Sequence, residues 1–104
     1  MSLAIISSFS FFKDKDSSKE LNNKFNKEII ENFSKAISKN PDNFLFYLER
    51  GRAKHDFGDY VGAIKDLNSS SRLNPNIKIV FHIANSKYAY GDYKGAIENF
   101  EKLI

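Results

Sequence analysis

A chain of 104 residues, 41% hydrophobic and 28% charged, has room for one domain with a modest core, and two prolines and five glycines exclude a fibrous or low-complexity chain. With no cysteine there is no disulfide framework, thiol nucleophile or thiolate metal site. The net charge of +3 is spread over interleaved acidic and basic residues, as in Lys13-Asp14-Lys15-Asp16, which reads as a solvated surface and argues against a nucleic-acid patch.

The chain opens with "MSLAIISSFSFF", an apolar run of signal-peptide length that lacks basic residues before it and a small-x-small site after it. It is too short to span a bilayer. Residues 1–16 are therefore set apart from the domain, as a helix docked on it or on a second copy, as a membrane-facing or export segment, or as disordered chain. Ser17 and Glu20 have capping-box spacing, in which a hydroxyl and a carboxylate satisfy backbone amides at a helix start, so a helical domain is expected over 17–104.

Within that domain the chain repeats itself. Ile30-Glu31-Asn32-Phe33, Ile64-Lys65-Asp66-Leu67 and Ile97-Glu98-Asn99-Phe100 are spaced by 34 and 33 residues, and Asn40-Pro41 stands 34 residues before Asn74-Pro75. Such a period marks stacked units that cannot bury their apolar faces alone. From Phe44 to Phe57, apolar and small residues recur at three- and four-residue steps, as an amphipathic helix requires. Gly58 closes that helix and Asp59 caps the next, in which Tyr60, Ala63, Ile64 and Leu67 form one stripe ending near Leu73, before Asn74-Pro75. The unit is a helical hairpin. Ala63 and Ala96, facing Gly51 and Ala84, are small where two helices cross.

Tyr47, Arg50-Gly51, Lys54, Ala63, Leu67 and Pro75 resemble the tetratricopeptide repeat, and Val80, Ile83-Ala84, Lys87, Ala96 and Phe100 continue the series with one residue missing before Gly91. Arg50 and Lys54 depart from the family's leucine and tyrosine; their stems would cover apolar surface and leave the charges in water. The resemblance covers Ile29 to the end and implies an all-α fold, a right-handed superhelix of stacked antiparallel helix hairpins. Its units are a degenerate first repeat over 17–41, matching only at Ile29, Phe33, Ala36 and Pro41, a second over 42–75 and a truncated third over 76–104.

No catalytic or cofactor site emerges. His55 and His82 occupy non-equivalent positions without repeated carboxylates, so no metal is expected. Ser69, Ser70 and Ser71 lie in a predicted helix without a nucleophile turn. The glycine of "GDY" belongs to a helix turn, unlike a phosphate loop. The expectation is a non-catalytic adaptor or scaffold that takes up a peptide or protein. The resemblance places the groove on the first helices of successive units, at Leu45, Leu48, Arg52 and His55 and at Lys78, Phe81, Asn85 and Tyr88. This set suits a partner with apolar and some acidic side chains, although Leu45 and Phe81 read equally well as partly core. Leu48 and Phe81 stand where some family members carry lysine for carboxyl-terminal peptides, so that specificity does not carry over.

At the end of the array, Ile97, Phe100, Leu103 and Ile104 lack a cover. Self-association as a dimer would supply one, or the chain continues into a further helix. A membrane-associated assembly factor anchored by residues 3–12 is the alternative function. A cytoplasmic location is expected, with membrane-associated and exported forms kept open by that segment.

Overall fold

The computed structural model describes the backbone of residues 3–104 and the side chains of residues 18–104. Five helices succeed one another: α1 (Leu3–Lys39), α2 (Phe44–Phe57), α3 (Tyr60–Leu73), α4 (Ile77–Tyr90) and α5 (Tyr93–Glu101). No strand occurs among the described residues, and the chain is all-α, as its periodicity predicts. Each helix packs on the next in sequence, and α2 also touches α4. Short connections reverse the chain each time, so α2/α3 and α4/α5 are hairpins and α2 runs in the same direction as α4.

The caps explain the repeated phrase. Asn43 and Asn76 are extended N-caps whose side chains accept from the amides of Leu45 and Lys78 at 3.1 and 2.8 Å, opening α2 and α4. Gly58 and Gly91 close these helices at φ 100° and 102°, the left-handed region that a side chain disfavours. Asp59 and Asp92 then cap α3 and α5 by accepting from the amides of Gly62 and Gly95, both at 2.9 Å. In doing so the aspartate folds back over the first turn, and a Cβ at Gly62 or Gly95 would collide with its carboxylate. The Gly-Asp-x-x-Gly frame of "GDYVGAI" and "GDYKGAI" is thus one turn in which each fixed residue needs the others.

Packing is set by the small residues. A Cβ added at Gly51 would lie 3.0 Å from Leu67 Cγ and 3.2 Å from the Ala63 carbonyl oxygen, so α2 and α3 cross closely where the sequence predicts. Leu48, Leu67, Ile79 and Ile83 form the core, with Phe44 against it, and join α2, α3 and α4.

Two readings of the sequence need correction. The expected helix start at Ser17 is absent, because α1 runs unbroken from Leu3 to Lys39. Its sequence contains neither glycine nor proline, and a capping-box spacing does not by itself interrupt a helix. How the side chains of the apolar run 3–12 are arranged lies outside the described residues. The residue missing before Gly91 falls ahead of α4. α2 and α4 both have 14 residues, while the connection 40–43 shortens to 74–76, so the two hairpins correspond residue for residue at an offset of 33. The second correction is that the charges of Arg50 and Lys54 are not left in water. Arg50 donates from Nε and Nη2 to the two carboxylate oxygens of Asp66, each at 2.7 Å, and Lys54 Nζ reaches Asp66 Oδ2 at 3.0 Å. Arg50 Nη1 also donates to Ser34 Oγ at 3.1 Å, which ties α1 to the hairpin. The hydrogen bond to Asp66 holds the Arg50 guanidinium above its ordinary pKa against the opposing effect of burial. In the next hairpin the network shrinks to one bond, from Lys87 Nζ to Asn99 Oδ1 at 2.7 Å.

Candidate protein-binding groove

α2 and α4 lie side by side with α3 behind them, and a cleft of about 200 Å³ opens between them. Its walls are Arg52, His55 and Asp56 from α2 and His82, Asn85 and Ser86 from α4, with Leu67 of α3 at the floor. The His55 ring nitrogen Nδ1 and the Ser86 hydroxyl are 2.9 Å apart and bridge the walls, and Tyr60 meets the His55 ring edge-on at a centroid distance of 5.2 Å. Arg52 sits at the rim, its guanidinium half exposed, with a 3.4 Å contact to Glu49 on its own helix. Such an exposed pair is worth under about 1 kcal/mol, which leaves the guanidinium free to turn to another carboxylate. Burial is the main cause that holds the His82 imidazole below its ordinary value of 6.5, helped by the positive charge of Arg52 and Lys78 and by His55, while Glu49 opposes them.

Of the predicted groove residues, Arg52, His55 and Asn85 come together in this cleft. Leu45 and Lys78 are exposed at the starts of their helices. Leu48 belongs to the core, at 8% exposure, and is closed to a partner. Phe81 and Tyr88 turn toward α5, where their rings meet Phe100 and Tyr93 at 6.2 and 5.1 Å. The sequence reading missed His82 and Ser86 for a geometric reason. Copying the α2 set onto α4 by translation selects the same side of both helices, whereas a cleft between them is walled by the leading side of one and the trailing side of the other.

The predicted self-association set lies at the free end of the last hairpin. Ile97 and Ile104 are exposed, and Phe100 and Leu103 half-buried. Among the described residues no group of three His, Asp or Glu could hold a metal ion, and no helix is long and apolar enough to cross a membrane. A scan against protein-family models gives no match, and no curated protein matches the chain.

Proposed function

We propose that this chain is a non-catalytic protein-interaction module of the tetratricopeptide type, an adaptor or scaffold whose α2/α4 groove receives a peptide or protein segment. The observation that carries the reading is the cleft itself: two parallel helices held apart over an apolar floor, with a half-exposed guanidinium, two imidazoles, an amide, a hydroxyl and the Asp56 carboxylate on its walls. Rigid helices present these groups, so little conformational freedom is lost on binding. The mixture favours a partner that places a carboxylate against Arg52 and a small apolar group above Leu67. None of the wall residues forms a nucleophile, base and orienting-group relay, and a binding role requires none.

The test is capture of partners from native lysate by the intact chain and by an Arg52→Glu/Asn85→Lys variant, with helicity followed by circular dichroism. Both side chains stand clear of the core, so helicity is expected to stay unchanged while the captured proteins are lost. Equal capture by both forms would remove the groove from the account. Leu48→Glu is unsuitable for this purpose, since it places a charge in the core and unfolds the hairpin.

A further inference from the structure

We propose that the α2/α4 cleft takes up a proton together with its occupant: an acidic side chain of the partner protein docks against Arg52, His82 on the facing wall receives the proton, and occupancy rises as pH falls. The inference rests on the groove reading above and adds to it the charge of the partner and the control of its binding.

Its warrant is the balance of charge around the cleft. Arg52 and Lys78 bring two positive charges to the surroundings of His82, and Glu49 and Asp56 bring two negative ones. α3, behind the cleft, presents the apolar Leu67 to it and Tyr60 to His55, while its Asp66 is taken up by Arg50 and Lys54. With both imidazoles neutral the fixed charges cancel, so the sign of the cleft is decided by whether an imidazole carries a proton. The chain has two histidines, and this cleft holds both. They are placed differently. His55 is engaged by the Ser86 hydroxyl at 2.9 Å and by the Tyr60 ring, edge-on, at 5.2 Å. His82 meets Phe81 edge-on at 6.1 Å, and among the described residues no hydrogen bond holds its ring, which leaves its nitrogens open to a partner.

The direction of the effect follows from what acts on His82. In the free chain burial, and after it the charges of Arg52 and Lys78, hold the imidazole below its ordinary value. A carboxylate set against Arg52 offsets that charge and faces the imidazole across the same 200 Å³ space. An opposite charge at about 4–6 Å favours the protonated form. The partner also desolvates the ring, which acts the other way, but burial already weighs on the free imidazole, whereas the negative charge is new. The pKa of His82 therefore rises on binding. A group that holds its proton more firmly in the complex makes binding tighter as pH falls, by at most about tenfold per pH unit for one proton. The partner's own carboxyl group, which ordinarily titrates at about pH 4, stays ionised through that window.

The experiment titrates the intact chain with the end-blocked peptide acetyl-Leu-Glu-Val-amide, and with its uncharged counterpart acetyl-Leu-Gln-Val-amide, at about pH 7.5 and about pH 6, on either side of the ordinary imidazole range. Binding is read from amide chemical shifts, and protonation of His82 from its imidazole resonances, assigned with His82→Gln. The acidic peptide is expected to bind saturably, with shifts at Arg52, His82 and Asn85, and about threefold or more tightly at the lower pH. It should also raise the titration midpoint of His82, and His82→Gln should flatten the dependence. The uncharged peptide is expected to bind more weakly and alike at both values. Saturable binding of the acidic peptide that is indifferent to pH, the same dependence with the uncharged peptide, or a dependence that survives His82→Gln would overturn the inference and leave the groove reading standing. No saturable binding at either pH would also overturn it, and the groove is then judged separately by capture with the Arg52→Glu/Asn85→Lys variant.

Discussion

Arg50 and Lys54 stand one turn apart on α2, a helix in contact with α1, α3 and α4, and both turn to the carboxylate of Asp66, itself 5% exposed. Removing one member of a buried charge cluster leaves the others desolvated without a partner, which costs more than the cluster contributes as a whole. Asp66→Ala is therefore expected to lower stability by about 3 kcal/mol in chemical denaturation, whereas Arg50→Leu with Lys54→Tyr and Asp66→Ala returns stability to near or above that of the parent. A small loss in the single variant, or an unfolded triple variant, would show that the network acts otherwise. His82 gives a second residue-scale prediction. Its folded pKa lies below its unfolded one, so above about pH 6.5 neither state gains a proton, and as pH falls the unfolded chain protonates first. The stability present above that value is thus lost progressively through the window below it, until the folded imidazole also titrates. The drop in Tm between about pH 7 and pH 5 should shrink in His82→Gln; an unchanged drop would assign it to other groups. Neither result was foreseeable residue by residue. A lysine and an arginine on a helix stripe read as solvated stems, and only the approach of α3 reveals Asp66 as their shared counter-ion.

Among the elements, the turns were legible and the long helix was not. Gly58, Asp59 and Asn74-Pro75 announce their roles because a cap is a local object, made of residues within a few positions of one another. The length of α1 depends on what fails to stop it, and Ser17 with Glu20 offered a start where none was needed. The groove was half legible for the same reason: membership on a helix face is given by spacing, whereas the pairing of faces across α2 and α4 depends on the tertiary approach. The Gly-Asp-x-x-Gly frame yields a prediction of unusual sign. Gly→Ala near the start of a helix ordinarily raises stability by about 0.5–1 kcal/mol. Gly62→Ala should instead lower it by about 1 kcal/mol, the value of the Asp59 cap that the new methyl displaces. With Asp59→Ala already present, Gly62→Ala should cost nothing further or stabilise. Additive losses in the double variant, measured by denaturation, would mean that the steric link between the two residues is absent.

The described helices form a stack in which the α2/α3 hairpin is stabilised by α4 on its far side. The α4/α5 hairpin exposes Phe81, Tyr88, Tyr93 and Ile97, and the groove between parallel helices is a by-product of stacking like on like. That arrangement gives two surfaces of different character, a polar-walled cleft and an apolar end, and the proposed role as an interaction module rests on the first. The most direct test of that role is site-specific photo-crosslinking in native lysate from a probe at Asn85 in the cleft, beside the same probe at exposed Val61 on α3. The account predicts a discrete crosslinked protein from position 85 that is absent from position 61 and disappears when Arg52→Glu is added. The same products from both positions, or a product indifferent to Arg52→Glu, would contradict it.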